Sequence, residues 1–143
     1  MKISKHISYK EGTHSNTATR NNIENIPDSY ELEAMKKVAE MVFEPLRAEF
    51  GEPIRINSFF RSIELNKRIG GSSTSQHCKG EAIDMDALNG ITNKQLFNYI
   101  KNNLDFDQLI DEQNYSWIHV SYKFQGVNRK NVLKMIDGKY YNI

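Results

Sequence analysis

The sequence predicts an α+β fold in which an antiparallel sheet packs against one long helix and a second, shorter helix. Apolar residues recur at helical spacing in two segments, residues 29–50 and 92–104. Several short segments instead alternate apolar and polar residues, as strands with one buried face do. These strands do not alternate strictly with the helices, and such an order favours antiparallel pairing over a sheet of βαβ units.

The bulk composition indicates one folded domain, residues 1–143. This length supports a single core, and no internal repeat, low-complexity tract or linker divides it. The net charge is +1, from 19 basic and 18 acidic residues dispersed along the chain, which offers no attractive surface to nucleic acid or an anionic membrane. No stretch approaches the ~18 apolar residues of a membrane span. We therefore expect neither nucleic acid nor a membrane as a partner.

The first elements along the chain are an arm and the long helix. Residues 1–27 are polar and show little periodicity, which predicts an irregular arm that wraps the domain. Asp28 and Glu31 form a capping box at the start of the helix over 29–50. Pro45 should bend this helix or end its regular part early.

The middle of the chain predicts strands on either side of a polar loop. Alternation indicates a strand over 54–60, and a short helix over 62–69 follows it. Residues 72–79 have no apolar residue except Cys78, which predicts an exposed loop. A second strand is expected over 81–87.

The last third begins with the second helix, which Thr92 caps with Gln95 as its capping-box partner. Two further strands are expected over 106–111 and 117–122. Residues 132–141 have the form of a terminal hairpin around an Asp-Gly turn.

Two histidines and one aspartate have surroundings suited to a metal site. His77 lies in the polar loop, and Asp84 follows it by seven residues in a strand. Strand alternation places His119 on the face opposite to the apolar Ile118 and Val120. A carboxylate buried in a strand needs a partner or a metal, because burying it alone costs several kcal/mol. Zinc accepts imidazole nitrogen and carboxylate oxygen, and a catalytic zinc site uses three protein ligands.

Other residues compete for these roles. Asp86 lies on the same strand face as Asp84 and is the rival carboxylate, although a solvated acid would look the same. Cys78 adjoins a proposed ligand, and its thiolate would close the coordination sphere of a structural site. His6 and His14 lie in the polar arm and are expected to be solvated.

The motifs around these residues resemble the zinc D-alanyl-D-alanine carboxypeptidase family. That family shares its fold with the D-Ala-D-Ala dipeptidases, the phage L-Ala-D-Glu endopeptidases and the Hedgehog signalling domain. The likeness covers nearly the whole chain and matches the compact phage and bacterial branch. Its motifs are Ser75-x-His77-x-x-Gly80-x-Ala82-x-Asp84, Trp117-Ile118-His119-Val120, residues 56–62, 65–66 and 69–72, Pro45-Leu46-Arg47 and Asn128-Arg129-Lys130.

The resemblance implies a role for each matching residue. His77, Asp84 and His119 become the zinc ligands. Arg61 matches the arginine that contacts substrate and steadies the oxyanion, and its alternative role is a salt bridge to a nearby acid. The loop residues that either bind substrate or hold the loop by hydrogen bonds are Ser75 and Gln76.

The general base is the weakest part of the likeness. Many relatives place an acid three residues before the second histidine, where this chain has Ser116. Hedgehog-like relatives use a glutamate at the end of the neighbouring strand. Glu112 holds that position and is the expected base, with Asp111 in reserve. If neither acts, the site would bind zinc without hydrolysis.

The function implied by the resemblance is zinc-dependent hydrolysis of amide bonds in peptidoglycan stem peptides, of the DD-carboxypeptidase or endopeptidase type. The alternative is a catalytically silent zinc-binding structural or binding module, part of a phage particle with virion proteins as partners, and Ser116 is the feature in its favour. The N-terminus lacks the apolar stretch of a secretory signal. We therefore expect access to the wall after lysis or as part of a phage particle.

Overall fold

A computed structural model describes all 143 residues and contains six α-helices and a six-stranded sheet. The strands are β1 (Lys2–Ser4), β2 (Ile7–Ser8), β3 (Ile54–Ser58), β4 (Ala82–Ala87), β5 (Gln108–Glu112), β6 (Trp117–Ser121), β7 (Asn131–Ile136) and β8 (Lys139–Asn142). The α-helices are α1 (Tyr9–Thr13), α2 (Asn16–Arg20), α3 (Ser29–Val38), α4 (Glu44–Phe50), α5 (Ile63–Arg68) and α6 (Asn93–Asn103). None of them has the length and apolar character needed to cross a membrane.

The main sheet has the strand order β3-β4-β6-β5-β7-β8, and β1 and β2 form a separate hairpin. All neighbours in the main sheet are antiparallel except β5 and β7, which are parallel. The α+β prediction is confirmed, with a mixed sheet. The parallel pair forms because residues 122–130 return the chain from the end of β6 to the level at which β5 begins. Lys130 N–H, just before β7, donates to Phe106 O.

The two faces of the sheet differ as strand alternation requires. One face is buried under α3 and α6, and its side chains belong to the core. These residues are Ile83, Met85, Leu109, Ile118 and Val120. The other face carries Asp84 and His119, so polar side chains lie on the side of the sheet opposite to α3 and α6.

The long helix of the prediction is interrupted once. α3 begins at Ser29, and its N-cap Asp28 forms the expected capping box with Glu31. The chain then passes through a π-helical segment, Ala39–Phe43, and continues as α4. Pro45 lies in the first turn of α4. Because proline has no backbone N–H, it cannot donate the α-helical hydrogen bond to the preceding turn, and the regular helix is interrupted there.

The irregular structure expected for residues 1–27 is wrong. This segment forms the β1–β2 hairpin and the helices α1 and α2. Ser8 and Ser15 cap the two helices, which are five residues each and too short to show a helical period. Ile3 and Ile7 belong to the core and fix the hairpin to it.

The expected terminal hairpin is formed by β7 and β8. Asp137 and Gly138 make its two-residue turn with φ of 49° and 80°. Both angles lie in the left-handed region, as a type I′ turn requires, and Asp-Gly is a favoured pair for it.

Candidate metal centre

Asp84 and His119 meet because their strands place them directly opposite each other. Asp84 on β4 is the register partner of His119 on β6, and both side chains lie on the sheet face opposite to α3 and α6. Asp84 Oδ1 lies 2.9 Å from His119 Nδ1. The contact therefore follows from strand pairing and needs no loop to hold it.

His77 reaches the same point from the loop before β4. Its backbone forms a 3₁₀ turn, Gln76–Lys79, whose first residue follows the N-cap Ser75. The ring is only 2% exposed, so the prediction of an exposed loop is wrong at this residue. The reason is a pair of long-range hydrogen bonds that draw the turn inward. His77 Nδ1 lies 2.7 Å from Phe59 O, and His77 O accepts from Arg61 N–H.

The orientation of His77 leaves one nitrogen free for a ligand. Because Phe59 O can only accept, Nδ1 must carry the proton and Nε2 presents its lone pair. Nε2 is buried, has no hydrogen-bond partner and lies 3.2 Å from Asp84 Oδ2. A buried polar atom without a partner is costly, and a bound cation would remove that cost.

The donor set fits zinc. One atom from each of His77, Asp84 and His119 lies within 4.8 Å of the other two, which gives two imidazole nitrogens and one carboxylate oxygen. Burial lowers the pKa of His77, which favours the neutral ring that a metal needs. Burial raises the pKa of Asp84, but the two histidines outweigh it and hold that pKa well below its usual range. Both groups therefore favour their metal-binding forms.

The rival ligands have other roles. Asp86 accepts hydrogen bonds from Asn57 and Asn93, at 2.8 Å each, which ties β4 to β3 and to the start of α6. Cys78 is half-buried and lies outside the group of ligand atoms. Burial raises the pKa of its thiol, which disfavours the thiolate that zinc binds.

Arg61 lies beside the centre in a fixed orientation. Its Nη2 is 3.6 Å from Asp84 Oδ2, so the salt bridge considered for it is present. Its Nε donates to Ser58 Oγ and its Nη1 to Asn66 Oδ1, at 3.2 and 3.0 Å. The side chain is 15% exposed and lines the groove described below. It can therefore hold Asp84 and still face a substrate.

Asn66 lies in a motif noted in the sequence, but its role in holding Arg61 was not predicted. It is 3% exposed, and its Nδ2 donates to Ser72 O at 2.7 Å while its Oδ1 holds Arg61. Gly71 leaves room for it, since a Cβ at that position would lie 2.1 Å from Asn66 Oδ1. Asn66, in the space that Gly71 leaves, thus fixes the orientation of the Arg61 guanidinium.

A groove of about 1240 Å³ runs over the centre and along the open face of the sheet. It exposes Arg61, the His-Asp-His group and Glu112 together. Glu112 is the register partner of Trp117, two residues before His119, so the carboxylate and the imidazole are diagonal neighbours on one face. Such neighbours lie about 7–8 Å apart at the backbone, within reach of a long side chain.

The structure separates the two candidate bases. Glu112 lines the groove, is 6% exposed, and has a raised pKa because burial and the nearby negative charges of Asp84 and Asp111 outweigh His119. Asp111 points to the opposite face and accepts a hydrogen bond from Tyr115 N–H in the β5–β6 turn. Asp111 therefore has a structural contact, and Glu112 alone faces the groove.

Ser75 and Gln76 line the groove and also hold its wall. Ser75 Oγ accepts from His77 N–H at 3.2 Å. Gln76 Nε2 lies 3.2 Å from Asp107 Oδ2 and 3.4 Å from Glu81 Oε1. The geometry shows loop-holding contacts for both, and substrate binding by either stays a prediction.

An ion pair between buried Asp107 and half-exposed Arg129 lies at the end of the groove near Gln76. Asp107 is fully buried and accepts from Arg129 Nε and Nη2 at 3.0 and 2.8 Å, and from the backbone N–H of Arg129 at 3.0 Å. Lys123 Nζ lies 4.0 Å away. The motif containing Arg129 was noted in the sequence, but its partner 22 residues upstream was not, because no spacing rule connects them.

A protein-family model described as Peptidase M15 matches residues 5–121. The match includes Arg61, His77, Asp84, Glu112 and His119, and it ends before the β7–β8 hairpin. No curated protein matches the chain.

Proposed function

We propose that this chain, which belongs to the peptidase M15 family, hydrolyses amide bonds of peptidoglycan stem peptides with a zinc ion held by His77, Asp84 and His119. Membership of the family makes it a zinc-dependent metallopeptidase, a hydrolase that acts on a peptide. The bond that it cuts is of the DD-carboxypeptidase or endopeptidase type. The ligands, the base and the substrate are the parts that we propose.

One observation carries the proposal. Three ligand atoms of the right kinds converge at the bottom of a groove, and an arginine and a buried glutamate face the same space. A purely structural zinc site has four protein ligands and no need of either group. Here the protein supplies three ligands, which is the number found in catalytic sites.

The residues divide the chemistry among them. A zinc ion held there would supply Lewis-acid polarisation of the scissile carbonyl and lower the pKa of water. The Glu112 carboxylate accepts a proton from the attacking water and delivers it to the nitrogen of the leaving amine, so it ends as it began. Because the pKa of Glu112 is raised, the carboxylate accepts the water proton more readily than an ordinary glutamate does and can still release it to the amine.

Arg61 acts on the other side of the reaction. Its guanidinium, fixed by Ser58 and Asn66, can donate to the carbonyl oxygen as negative charge develops there. Donors of this kind contribute about 3–4 kcal/mol to transition-state stability when they are held in place beforehand. The bonds from Ser58 and Asn66 supply that preorganisation.

The size of the groove supports a peptide longer than a single residue. Its volume of about 1240 Å³ exceeds the ~300–1,000 Å³ of typical small-molecule pockets. Stem peptides are extended chains and would lie along the sheet face. The family relation supports this substrate class.

The test compares wild type with Glu112→Gln and Asp111→Asn. Zinc per chain is measured by elemental analysis, and new amino groups are counted after incubation with purified peptidoglycan. We expect one zinc per chain in all three proteins and turnover lost by ~10²–10⁴-fold in Glu112→Gln only. Asp111→Asn is the matched control, because it removes an adjacent carboxylate that does not face the groove.

The outcomes separate the possibilities. Wild-type activity that survives in Glu112→Gln would move the base elsewhere. Bound zinc without release of amino groups from walls of different stem chemistry would rule out a peptidoglycan substrate. Absence of zinc from wild type would overturn the ligand assignment.

A further inference from the structure

The C-terminal segment, residues 122–143, builds one wall of the groove although it lies outside the family match. Its contribution comes from the loop after β6 and from both strands of the β7–β8 hairpin. The residues that line the groove are Lys123, Gln125, Arg129, Leu133, Met135 and Tyr140. The part of the groove that lies outside the family match is therefore concentrated here.

Strand register places Tyr140 in line with Glu112. Glu112 pairs with Trp117 on one side and with Met135 on the other, and Met135 pairs with Tyr140. These four side chains form one row across four neighbouring strands, on the face that holds the groove. Adjacent strands lie about 4.8 Å apart, so Tyr140 is two strands, or about 10 Å, from Glu112 at the backbone.

The charges around Tyr140 agree with this position. Burial raises the pKa of its hydroxyl, and the negative charges of Glu112 and Asp84 raise it further. Both carboxylates belong to the proposed active site. The phenol thus lies close enough to the centre to be influenced by it.

Tyr140 also has surface available for a ligand. It is 58% exposed, which is high for an aromatic residue in a sheet row beside Met135 and Trp117. The neighbouring residue Tyr141 is 46% exposed, but it pairs with Lys134 and lies on the opposite face of the hairpin. The two tyrosines are both exposed, but Tyr140 lines the groove and Tyr141 does not.

We propose that Tyr140 is a substrate-contacting residue and that the β7–β8 hairpin forms the recognition wall for a small or apolar side chain next to the scissile bond. The inference depends on the proposed peptidase function. Trp117 and Met135, the two neighbours of Glu112 in this row, are apolar. An acidic side chain placed here would therefore meet both a desolvating surface and the like charge of Glu112. An apolar side chain would instead bury the exposed face of Tyr140.

The first experiment measures binding without turnover. Zinc-loaded wild type, Tyr140→Ala and Tyr141→Ala are titrated calorimetrically with N-acetyl-alanyl-alanine hydroxamate, a zinc-directed peptide analogue, and with acetohydroxamate, which has no side chain. We expect Tyr140→Ala to weaken the peptide analogue by about fivefold to tenfold, as the loss of one aromatic contact predicts. Acetohydroxamate should bind all three proteins equally, and Tyr141→Ala should match wild type throughout.

The second experiment uses peptidoglycan hydrolysis by the same proteins. Tyr140→Ala should raise KM by a similar factor with little change in kcat, because the contact is made away from the reacting atoms. Equal Kd and KM values in Tyr140→Ala and wild type would overturn the role of Tyr140 while the peptidase function stands. Weaker binding of the peptide analogue to Tyr140→Ala, without wall hydrolysis by wild type, would support the role and reject the peptidoglycan substrate.

Discussion

Asp84 and His119 are register partners on adjacent antiparallel strands, with Asp84 Oδ1 2.9 Å from His119 Nδ1. A metal site built on paired strands is more rigid than one built on loops, because the sheet hydrogen bonds fix both backbones. Only His77 comes from a loop, and its hydrogen bond to Phe59 O sets the orientation of its ring. Of the three proposed ligands, two are thus fixed by the sheet and the third is fixed by Phe59, the residue after β3.

Replacing Asp84 should abolish metal binding. Asp84→Ala removes the only carboxylate of the group and leaves two neutral donors, so we expect less than about a tenth of the wild-type zinc after dialysis. Asp86→Ala is the control, because Asp86 lies on the same strand but bonds only to Asn57 and Asn93. Elemental analysis of both proteins checks this. Zinc retained in Asp84→Ala, or lost equally in Asp86→Ala, would contradict the assignment.

Removal of zinc should lower thermal stability. A ligand that binds only the folded state stabilises it by about 4 kcal/mol at a thousand times its Kd, which for a domain of this size corresponds to roughly 10 °C in Tm. We expect a chelator to lower the Tm of wild type by about that amount. Asp84→Ala should show no response to the chelator. A similar fall in the Tm of both proteins would mean that the chelator does not act by removing zinc from this site.

Gly71→Ala should disturb Arg61 through Asn66. The new Cβ would lie 2.1 Å from Asn66 Oδ1, and Asn66 is too buried to move without releasing the guanidinium. We expect kcat to fall about tenfold or more, as for partial loss of an oxyanion donor, with zinc content unchanged. Steady-state kinetics and elemental analysis measure the two quantities.

The control for this variant is Gly90→Ala. A Cβ at Gly90 meets no atom within 4 Å, although its φ of +88° makes alanine strained. Gly90→Ala should therefore lose about 1 kcal/mol of stability and keep its kcat. Equal kcat values in Gly71→Ala and wild type would show that Asn66 does not position Arg61.

The sequence predicted the elements whose determinants are local. The capping boxes at Asp28 and Thr92 and the turn at Asp137 involve residues at most three apart, and the structure contains all of them. The faces of β6 follow from alternation, which is why His119 was correctly placed on the face opposite to Ile118 and Val120, and its register partner Asp84 lies on the same face. Patterns of this kind depend only on neighbouring residues.

The features that the sequence did not reveal depend on distant contacts. The burial of His77 depends on Phe59 O, and the orientation of Arg61 on Asn66 and a glycine. The parallel pairing of β5 and β7 depends on the path of residues 122–130. The pattern of hydrophobic residues does not encode such contacts, so only the folded chain shows them.

Stability at acidic pH should depend on Asp107 and Arg129. Burial raises the pKa of Asp107, but the hydrogen bonds and positive charge of Arg129 outweigh burial and lower that pKa below its ordinary value of 3.8. Between the two values the unfolded chain binds more protons, so stability rises with pH there. The contribution of the pair is therefore complete above about pH 4 and is lost as pH falls through the lowered pKa.

Arg129→Gln tests this dependence, with Lys123→Gln as a control that removes the same charge at 4.0 Å from Asp107. Free energies of unfolding are measured by denaturant titration from pH 7 to pH 2. We expect Arg129→Gln to lose about 1–3 kcal/mol at pH 7, because its loss leaves a buried carboxylate poorly satisfied. The deficit should shrink towards zero below pH 4, as Asp107 takes up its proton in both proteins. Lys123→Gln should lose less than about 1 kcal/mol, since a longer and partly exposed pair is weak. A deficit of Arg129→Gln that stays constant down to pH 2 would show that the arginine stabilises the fold by packing and not through the charge of Asp107.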